Sequence, residues 1–166
     1  MKSRTLLVLA AAALLSTSVL AQSKKTTRPT IEGVWRVVET TGGPNAIKNT
    51  SPQPILYLFS RTYYSWVGVY GPKPRPDLPD DLTKASAAEM IAALGPSFVA
   101  NAGTYELAGG KLILRPVVAK NQRAMAPGAN FTLAYKVDGK TLTITQISIP
   151  QGPVEKPFTH RLSRLE

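Results

Sequence analysis

The stretch IEGVWRVVE, residues 31–39, opens the first strongly patterned segment of the chain. It contains the triplet Gly33-Val34-Trp35 and continues with β-branched residues, which are typical of a strand. The segment stops at Gly42-Gly43-Pro44, because glycine and proline break strands. We therefore predict a first strand over residues 34–41. Its Trp35 either contacts a ligand or plugs a core.

Seven further segments have the composition of strands, and turn signals separate them. They cover residues 55–59, 63–70, 98–107, 111–118, 131–137, 142–149 and 156–165. Pro116 predicts an edge or a bulge, and a change of apolar phase predicts a bulge near Gln146. Residues 42–54 and 71–82 are rich in glycine or proline and are predicted to be loops. Short strands at this spacing predict an all-β sandwich or closed barrel.

One segment, KASAAEMIAAL at residues 84–94, has a helical period. Ser86 and Glu89 fit a capping box at its start, and Gly95-Pro96 ends it. The apolar residues Ala87, Met90, Ile91 and Leu94 share one face. We predict that this face points inward and that the helix closes one mouth of the barrel.

The first 21 residues have the pattern of a secretory signal peptide. Lys2 and Arg4 precede an apolar run from Leu6 to Leu15, and small residues lead to a cleavage site after Ala21. That run is too short for a membrane span, which needs about 20 apolar residues. The pattern predicts a periplasmic or secreted protein, with a flexible leader over residues 22–30 and a barrel domain over residues 31–166.

Composition limits the chemistry. The chain has no Cys, which excludes thiol catalysis and cysteine-based metal sites. Removing the signal peptide lowers the formal charge from +10 to +8, because Lys2 and Arg4 are lost. The remaining charges are scattered, which favours a solvated basic surface over a nucleic-acid site.

Five segments together resemble the bacterial lipocalin-like domain family, within the calycin group of up-and-down barrels. They are GVWR at 33–36, ILYLFSRTYYSW at 55–66, GTYEL at 103–107, RPVVAKN at 115–121 and HRLSRL at 160–165. Classical lipocalins tend to have disulfides and a C-terminal helix, so the resemblance is to the smaller bacterial domain. It implies an antiparallel barrel of about eight strands, with one closed end and one cup-like end.

The resemblance also implies that a basic residue of the final strand stacks over the first-strand tryptophan. Arg164 has the parity to do so, and Arg161 is the alternative. With Gly33 and Trp35, Arg164 would form the structural floor of the barrel, a guanidinium over an indole contributing about 0.5–2 kcal/mol.

Strand alternation gives a set of inward candidates for ligand contact. Parity places Glu39 with Trp35, and it places His160 with Phe158 and Leu162. For the aromatic candidates the alternative is core filling. Arg115 would face solvent, pair with Glu39 or meet an acidic ligand group. The ligand-binding candidates are Glu39, Tyr64, Trp66, Tyr105, Arg115, Tyr135 and His160.

These observations favour an exported barrel that binds a small hydrophobic or acidic amphiphilic molecule. The alternatives are a barrel enzyme with acid–base chemistry of the isomerase or cyclase type, or a packed barrel acting through its surface. We predict no catalytic residues, no cofactor and no metal, since His160 is the sole histidine and a zinc site needs three or four ligands. No nucleotide-binding motif is present.

Overall fold

A computed structural model describes residues 30–166. The predicted signal peptide, its cleavage after Ala21 and the leader up to residue 29 lie outside the described residues. The elements are β1 (Gly33–Gly42), β2 (Ile47–Asn49), β3 (Ile55–Phe59), β4 (Tyr63–Val69), α1 (Ala87–Leu94), β5 (Phe98–Ala108), β6 (Lys111–Ala119), β7 (Phe131–Asp138), β8 (Thr141–Ile149), β9 (Gly152–Pro153) and β10 (Phe158–Arg164). Two 3-10 helices, Leu82–Lys84 and Gln122–Met125, lie in longer connections.

Eight strands close into an antiparallel barrel, which confirms the predicted fold class. The hydrogen-bonded order is β1, β3, β4, β5, β6, β7, β8 and β10, and β10 pairs with β1 again. The two remaining strands, β2 and β9, pair with β1 and β8. They lie in segments predicted to be a loop and a turn, because two or three residues are too few to show an apolar alternation.

The barrel has two unlike ends. At one, which we call the plugged end, short turns join β3 to β4, β5 to β6 and β7 to β8, and the chain enters β1 and leaves β10. At the other, the loop end, lie the connections over residues 43–54, 70–97, 120–130 and 150–157. The resemblance implies a cup-like end as well as a closed one, but side chains fill the barrel interior at the loop end.

Alternation along the strands builds the core. In β3, Ile55, Tyr57 and Phe59 are buried, whereas Leu56 and Leu58 face outward. This period of two is what a strand with one buried face requires. The inward residues of the barrel strands form one apolar cluster.

Two register shifts lie where the sequence predicts them. The β5–β6 ladder shifts beside Pro116, which leaves Val117 without a partner. The β7–β8 ladder shifts beside Gln146, which leaves Ile147 without a partner. Each extra residue is a bulge that changes the face on which the following residues lie.

Helix α1 begins later than predicted. Residues 82–84 form a separate 3-10 turn, and the helix covers 87–94 rather than 84–94. The predicted capping box is present: the Glu89 N–H donates to Ser86 Oγ at 3.2 Å, and the Ser86 N–H donates to the Glu89 carboxylate at 2.8 Å. Among residues 30–166, no helix is long and apolar enough to span a membrane.

The predicted inward face of α1 is wrong. Ala87, Ile91 and Leu94 are exposed, Ile91 at 64%, and the buried residue of the helix is Ala93. The Arg75 guanidinium donates to the Ala93 carbonyl at 3.1 Å. Of the four residues predicted to face inward, Met90 is half-buried and the other three are exposed.

Candidate functional site

Trp35 closes the plugged end. Its side chain is fully buried, and the indole N–H donates to the Ile31 carbonyl at 2.7 Å. The Arg164 guanidinium lies 4.1 Å from the ring centroid and donates to the carbonyls of Thr30 at 2.6 Å and Glu32 at 2.5 Å. The cation over Trp35 is therefore Arg164 rather than Arg161. The indole N–H of Trp35 and the guanidinium of Arg164 are thus both bonded to carbonyls of the chain itself.

Gly33 is needed at this floor for two reasons. Its φ is +129°, in a region that side chains disfavour, and a Cβ there would clash with the Glu166 carbonyl and the Arg164 guanidinium. Because Gly33 has no side chain, the start of β1 can lie close to the end of β10.

At the loop end, aromatic rings fill the barrel. Tyr57 stacks on Trp66, with ring centroids 5.2 Å apart and planes inclined by 14°. Tyr70 and Phe131 each pack edge-on against Trp66, at 6.3 and 5.7 Å. The Tyr70 ring lies 5.9 Å from the His160 ring. With Thr40, these residues form what we call the loop-end cluster: Thr40, Tyr57, Trp66, Tyr70, Phe131 and His160.

Uncharged hydrogen bonds join the polar atoms around this cluster. The Trp66 indole N–H donates to the Tyr70 hydroxyl at 3.0 Å, and Thr40 Oγ1 and His160 Nδ1 share a hydrogen bond of 2.9 Å. Nearby, the Tyr64 hydroxyl donates to Asn101 Oδ1 at 2.7 Å. Within the described residues, no buried side-chain nitrogen or oxygen lacks a partner. The buried polar side chains of the described residues are thus hydrogen-bonded without a ligand.

Burial determines the protonation states. It lowers the pKa of His160 to about 4, so the imidazole is neutral at neutral pH. Burial also raises the pKa of the Tyr57 and Tyr70 hydroxyls well above their usual range. The cluster therefore offers neutral donors and acceptors and apolar ring faces, and none of its side chains is charged. Within residues 30–166, no group of three His, Cys, Asp or Glu side chains could hold a metal ion.

Glu39 does not point inward as its parity predicts. The β1–β10 register shifts between Val37 and Glu39, and this irregularity turns the carboxylate to the outer face. There it accepts hydrogen bonds from Arg161 at 2.8 and 3.1 Å. The Arg161 hydrogen bond holds the pKa of Glu39 below its usual range.

Arg115 also lies on the outer face. Its guanidinium is 3.2 Å from the Glu106 carboxylate, and about half of each side chain is exposed. Of the three roles predicted for Arg115, the structure shows exposure together with pairing, but the partner is Glu106 and not Glu39. Because Glu39 and Arg115 are both outside, they do not converge with His160 in one pocket.

The remaining aromatic candidates divide between two places. Trp66 and His160 each pack against Tyr70 in the loop-end cluster. Tyr64 is buried near the start of β4, opposite Phe59, and its hydroxyl donates to Asn101. Tyr105 packs edge-on against Phe59 at 5.2 Å, and its hydroxyl donates to the Ser60 carbonyl near the plugged end. Tyr135 is half-buried and packs against the core.

Several interior residues were missing from the predicted site: Thr40, Tyr57, Tyr70, Asn101 and Phe131. The alternation in ILYLF, residues 55–59, could have identified Tyr57, because it shares its face with two other apolar residues. Tyr70 has the same parity as Trp66 and continues the inward face of β4 past its last residue.

Two clefts lie outside the barrel. One cleft of about 470 Å³ lies beside the proline-rich segment and is lined by Pro54, Val69, Arg75, Ala93 and Leu94, among others. Another of about 440 Å³ lies between residues 123–129 and Pro150-Gln151. No member of the loop-end cluster lines either cleft.

Comparison with known proteins gives little beyond this geometry. No family model matches the sequence, so the resemblance to the bacterial lipocalin-like family has no support from that side, and no curated protein matches it. A crystal structure of a mutant of the fluorescent protein UnaG is similar at 13% identity, covering 82% of this chain and 96% of that chain with a TM-score of 0.36. Likeness at this level assigns no function. The chain is an eight-strand antiparallel barrel with a plugged end and an aromatic, uncharged interior cluster at its loop end.

Proposed function

We propose that this protein is an exported barrel that binds one small, uncharged, largely apolar molecule at its loop end. The observation that carries the proposal is the loop-end cluster, where ring faces of Trp66 and Tyr70 lie beside hydrogen-bonding groups of Thr40 and His160. Apolar walls with a few convergent polar groups are the usual lining of a small-molecule site.

The charge of the lining argues for an uncharged ligand. The sequence predicts a ligand that is hydrophobic or an acidic amphiphile. The acidic ligand depends on basic residues that are predicted to face inward. Arg115 faces outward and His160 is neutral at neutral pH. A carboxylate in this interior would lack a charged partner, and burying an unpaired charge is costly.

Tyr70 occupies the space that a ligand would take. Its ring lies between Trp66 and His160, and it directly follows the last residue of β4 at the loop end. In the proposed bound state the Tyr70 side chain swings outward and a ligand ring replaces it. Because the ring must first leave, the apparent affinity is lowered by the fraction of molecules that are open.

The test compares Tyr70→Ala with Tyr63→Ala, which removes an exposed tyrosine at the start of β4. Protein recovered from its host is examined by native mass spectrometry, and then titrated with a panel of neutral and acidic apolar compounds. We expect Tyr70→Ala to bind a neutral compound at least about tenfold more tightly than the wild type, since the competing ring is gone.

Two results would contradict the proposal. One is the absence of any bound compound in both the wild type and Tyr70→Ala. The other is a preference for fatty acids over neutral compounds, which would require a buried cation that the loop-end cluster does not provide.

Export is a separate part of the proposal and rests on the N-terminal pattern of the sequence. Intact mass and N-terminal sequencing of the protein from its host should give a chain that begins at Gln22. A chain that retains Met1 inside the cell would refute this part and leave the ligand proposal standing.

The filled interior favours a second candidate, a packed barrel that acts through its outer surface. Its supporting observation is that both clefts lie outside the barrel while the interior polar atoms are satisfied. Failure of every ligand titration, with a folded Tyr70→Ala variant, would leave this candidate in place.

A further inference from the structure

The outer surface of the barrel has two faces of opposite character. On the β7–β8–β10 side, cross-strand rows join Lys136, Thr143, Arg161 and Glu39, and the next row joins Ala134, Thr145 and Thr159. Hydroxyls and charges dominate these rows, as expected for the solvent-facing side of an antiparallel sheet.

On the β3–β4–β5–β6 side, the corresponding rows are apolar. One row joins Leu58, Ser65, Ala102 and Val118 across four strands. The next row joins Leu56, Val67 and Ala100. We call these seven residues the apolar face.

The apolar face is open to solvent. Val118 is 62% exposed, and Leu58 and Val67 are also exposed. The half-buried residues at the centre of the face are small: Ser65, Ala100 and Ala102. Tyr63, which adjoins the face in the next row, is 61% exposed. Contiguous exposed apolar surface on a folded protein marks an interaction site more often than scattered single residues do.

Cations surround this face. Arg36 is paired with Leu56 at one edge. Lys120 follows Val118 at the opposite edge, but its ammonium donates to the carbonyls of Gly95 and Phe98. Arg115 lies beside Tyr63 through Thr104, and Arg61 is in the turn that joins β3 to β4. Two carboxylates adjoin the face: Glu106, which pairs with Arg115, and Asp77, which lines the cleft beside Val69.

This charge pattern distinguishes the occupants that an apolar sheet face could have. A second copy of the chain, packed face to face, would bring the cationic frames against each other. A surface of opposite charge with an apolar layer beneath it would satisfy both parts of the pattern. Anionic lipid headgroups over acyl chains provide that combination.

We infer that the apolar face and its cationic frame bind the surface of an anionic phospholipid bilayer. The exposed valines and leucines contact the acyl boundary, and Tyr63 lies at headgroup depth, where amphipathic rings are favoured. The frame arginines contact the phosphates.

The absence of cysteine makes a site-specific test possible. Val118→Cys on the apolar face and Thr143→Cys on the polar face are each labelled with a polarity-sensitive dye. Vesicles of phosphatidylglycerol and phosphatidylcholine are then added, with phosphatidylcholine vesicles as the comparison. We expect a blue shift at position 118 with the anionic vesicles, no shift at position 143, and reversal of the shift by high salt.

A second pair of variants adds one negative charge to each face. Val67→Glu should weaken partitioning into anionic vesicles by about tenfold or more, while Thr143→Glu, which changes the net charge equally, should leave it near the wild-type value. Circular dichroism of both variants checks that the barrel is intact.

Three results would overturn the inference. The first is an equal dye response at positions 118 and 143, which would mean non-specific attraction by net charge. The second is an absence of shift at position 118 with anionic vesicles. The third is a stable dimer in light scattering that Val67→Glu dissociates, since a second copy would then cover the face.

Discussion

His160 is the residue whose burial has the clearest consequence for solution behaviour. It is 6% exposed, and burial lowers its pKa to about 4, below the 6.5 of an ordinary histidine. The unfolded chain therefore takes up a proton near pH 6.5, whereas the folded chain does so only near pH 4. The free energy of unfolding should fall as the pH decreases through this window, by up to about 3 kcal/mol, and urea unfolding across a pH series measures it.

The control for this prediction is His160→Gln, which removes the titrating group and leaves the carboxylates in place. In that variant the loss of stability between pH 6.5 and about 5 should largely disappear. An unchanged pH dependence would mean that other groups, and not His160, are responsible.

Arg164 and Arg161 lie on the same strand and give a second prediction. Arg164 covers the Trp35 ring and holds two backbone carbonyls, whereas Arg161 is half exposed and pairs with Glu39. Arg164→Ala should lower the free energy of unfolding by about 2–4 kcal/mol, because it removes a cation–π contact and charged hydrogen bonds.

Arg161→Ala should cost less than about 1 kcal/mol, as exposed ion pairs do. Chemical denaturation of the two variants compares them directly. Equal losses would show that the stack on Trp35 adds nothing to an ordinary surface pair.

At the scale of single residues, strand parity predicted the correct face where the ladder is regular and the wrong face where it is irregular. It selected Arg164 over Arg161 as the partner of Trp35, because β10 alternates without interruption. It misplaced Glu39, because a one-residue irregularity after Val37 cannot be read from the β-branched run in β1. Hydrogen-bonded pairs such as Tyr64 with Asn101 join residues far apart in sequence, so no local pattern predicts them.

Among the elements, α1 shows how an amphipathic period can be misinterpreted. Its apolar stripe is real, but its buried residue is Ala93, and Ile91 and Leu94 are exposed. Ile91→Ser should therefore change the free energy of unfolding by no more than about 0.5 kcal/mol. Ala93→Leu should destabilise by about 1–3 kcal/mol, because a larger side chain overfills a site that is closed to solvent.

Thermal unfolding of the two helix variants shows which of them loses more stability. A larger loss for Ile91→Ser than for Ala93→Leu would mean that the predicted inward face is the true contact. The sequence could locate the helix and its capping box, since both are local, but which face meets the barrel depends on the path of the proline-rich segment before it.

Over the whole molecule, the closing strand β10 carries a prediction about cooperativity. Leu162 is fully buried and is paired with Val37 of β1 and Leu142 of β8. Leu162→Ala should cost about 2–5 kcal/mol. Because the barrel has one core, tryptophan fluorescence and far-ultraviolet circular dichroism should shift to the same new midpoint.

Leu58→Ala is the matched control, since Leu58 lies on the outer face of β3. It should leave the midpoint almost unchanged. Two separate transitions in Leu162→Ala would show that the barrel does not unfold as one unit.

The architecture was more predictable than the site. Eight strand segments, their hairpin turns and two bulges follow from apolar alternation and turn residues, which are local signals. Whether the interior is open or filled depends on how Tyr57, Trp66, Tyr70 and Phe131 meet across different strands. Closure of the barrel determines that packing, so the residue pattern of a single strand cannot predict it.

The closeness of Val34 to Leu165 and Glu166, at the two ends of the described barrel, has one more consequence. The Leu165 N–H donates to the Val34 carbonyl at 2.7 Å, and the Val34 N–H donates to the Glu166 carbonyl at 3.3 Å. A short peptide could therefore join Glu166 to Thr30, and new termini could be opened in the exposed turn at Gly139. Such a circular permutant would retain every strand pairing of the barrel. The order of strands around the closed sheet does not depend on which strand the chain begins with.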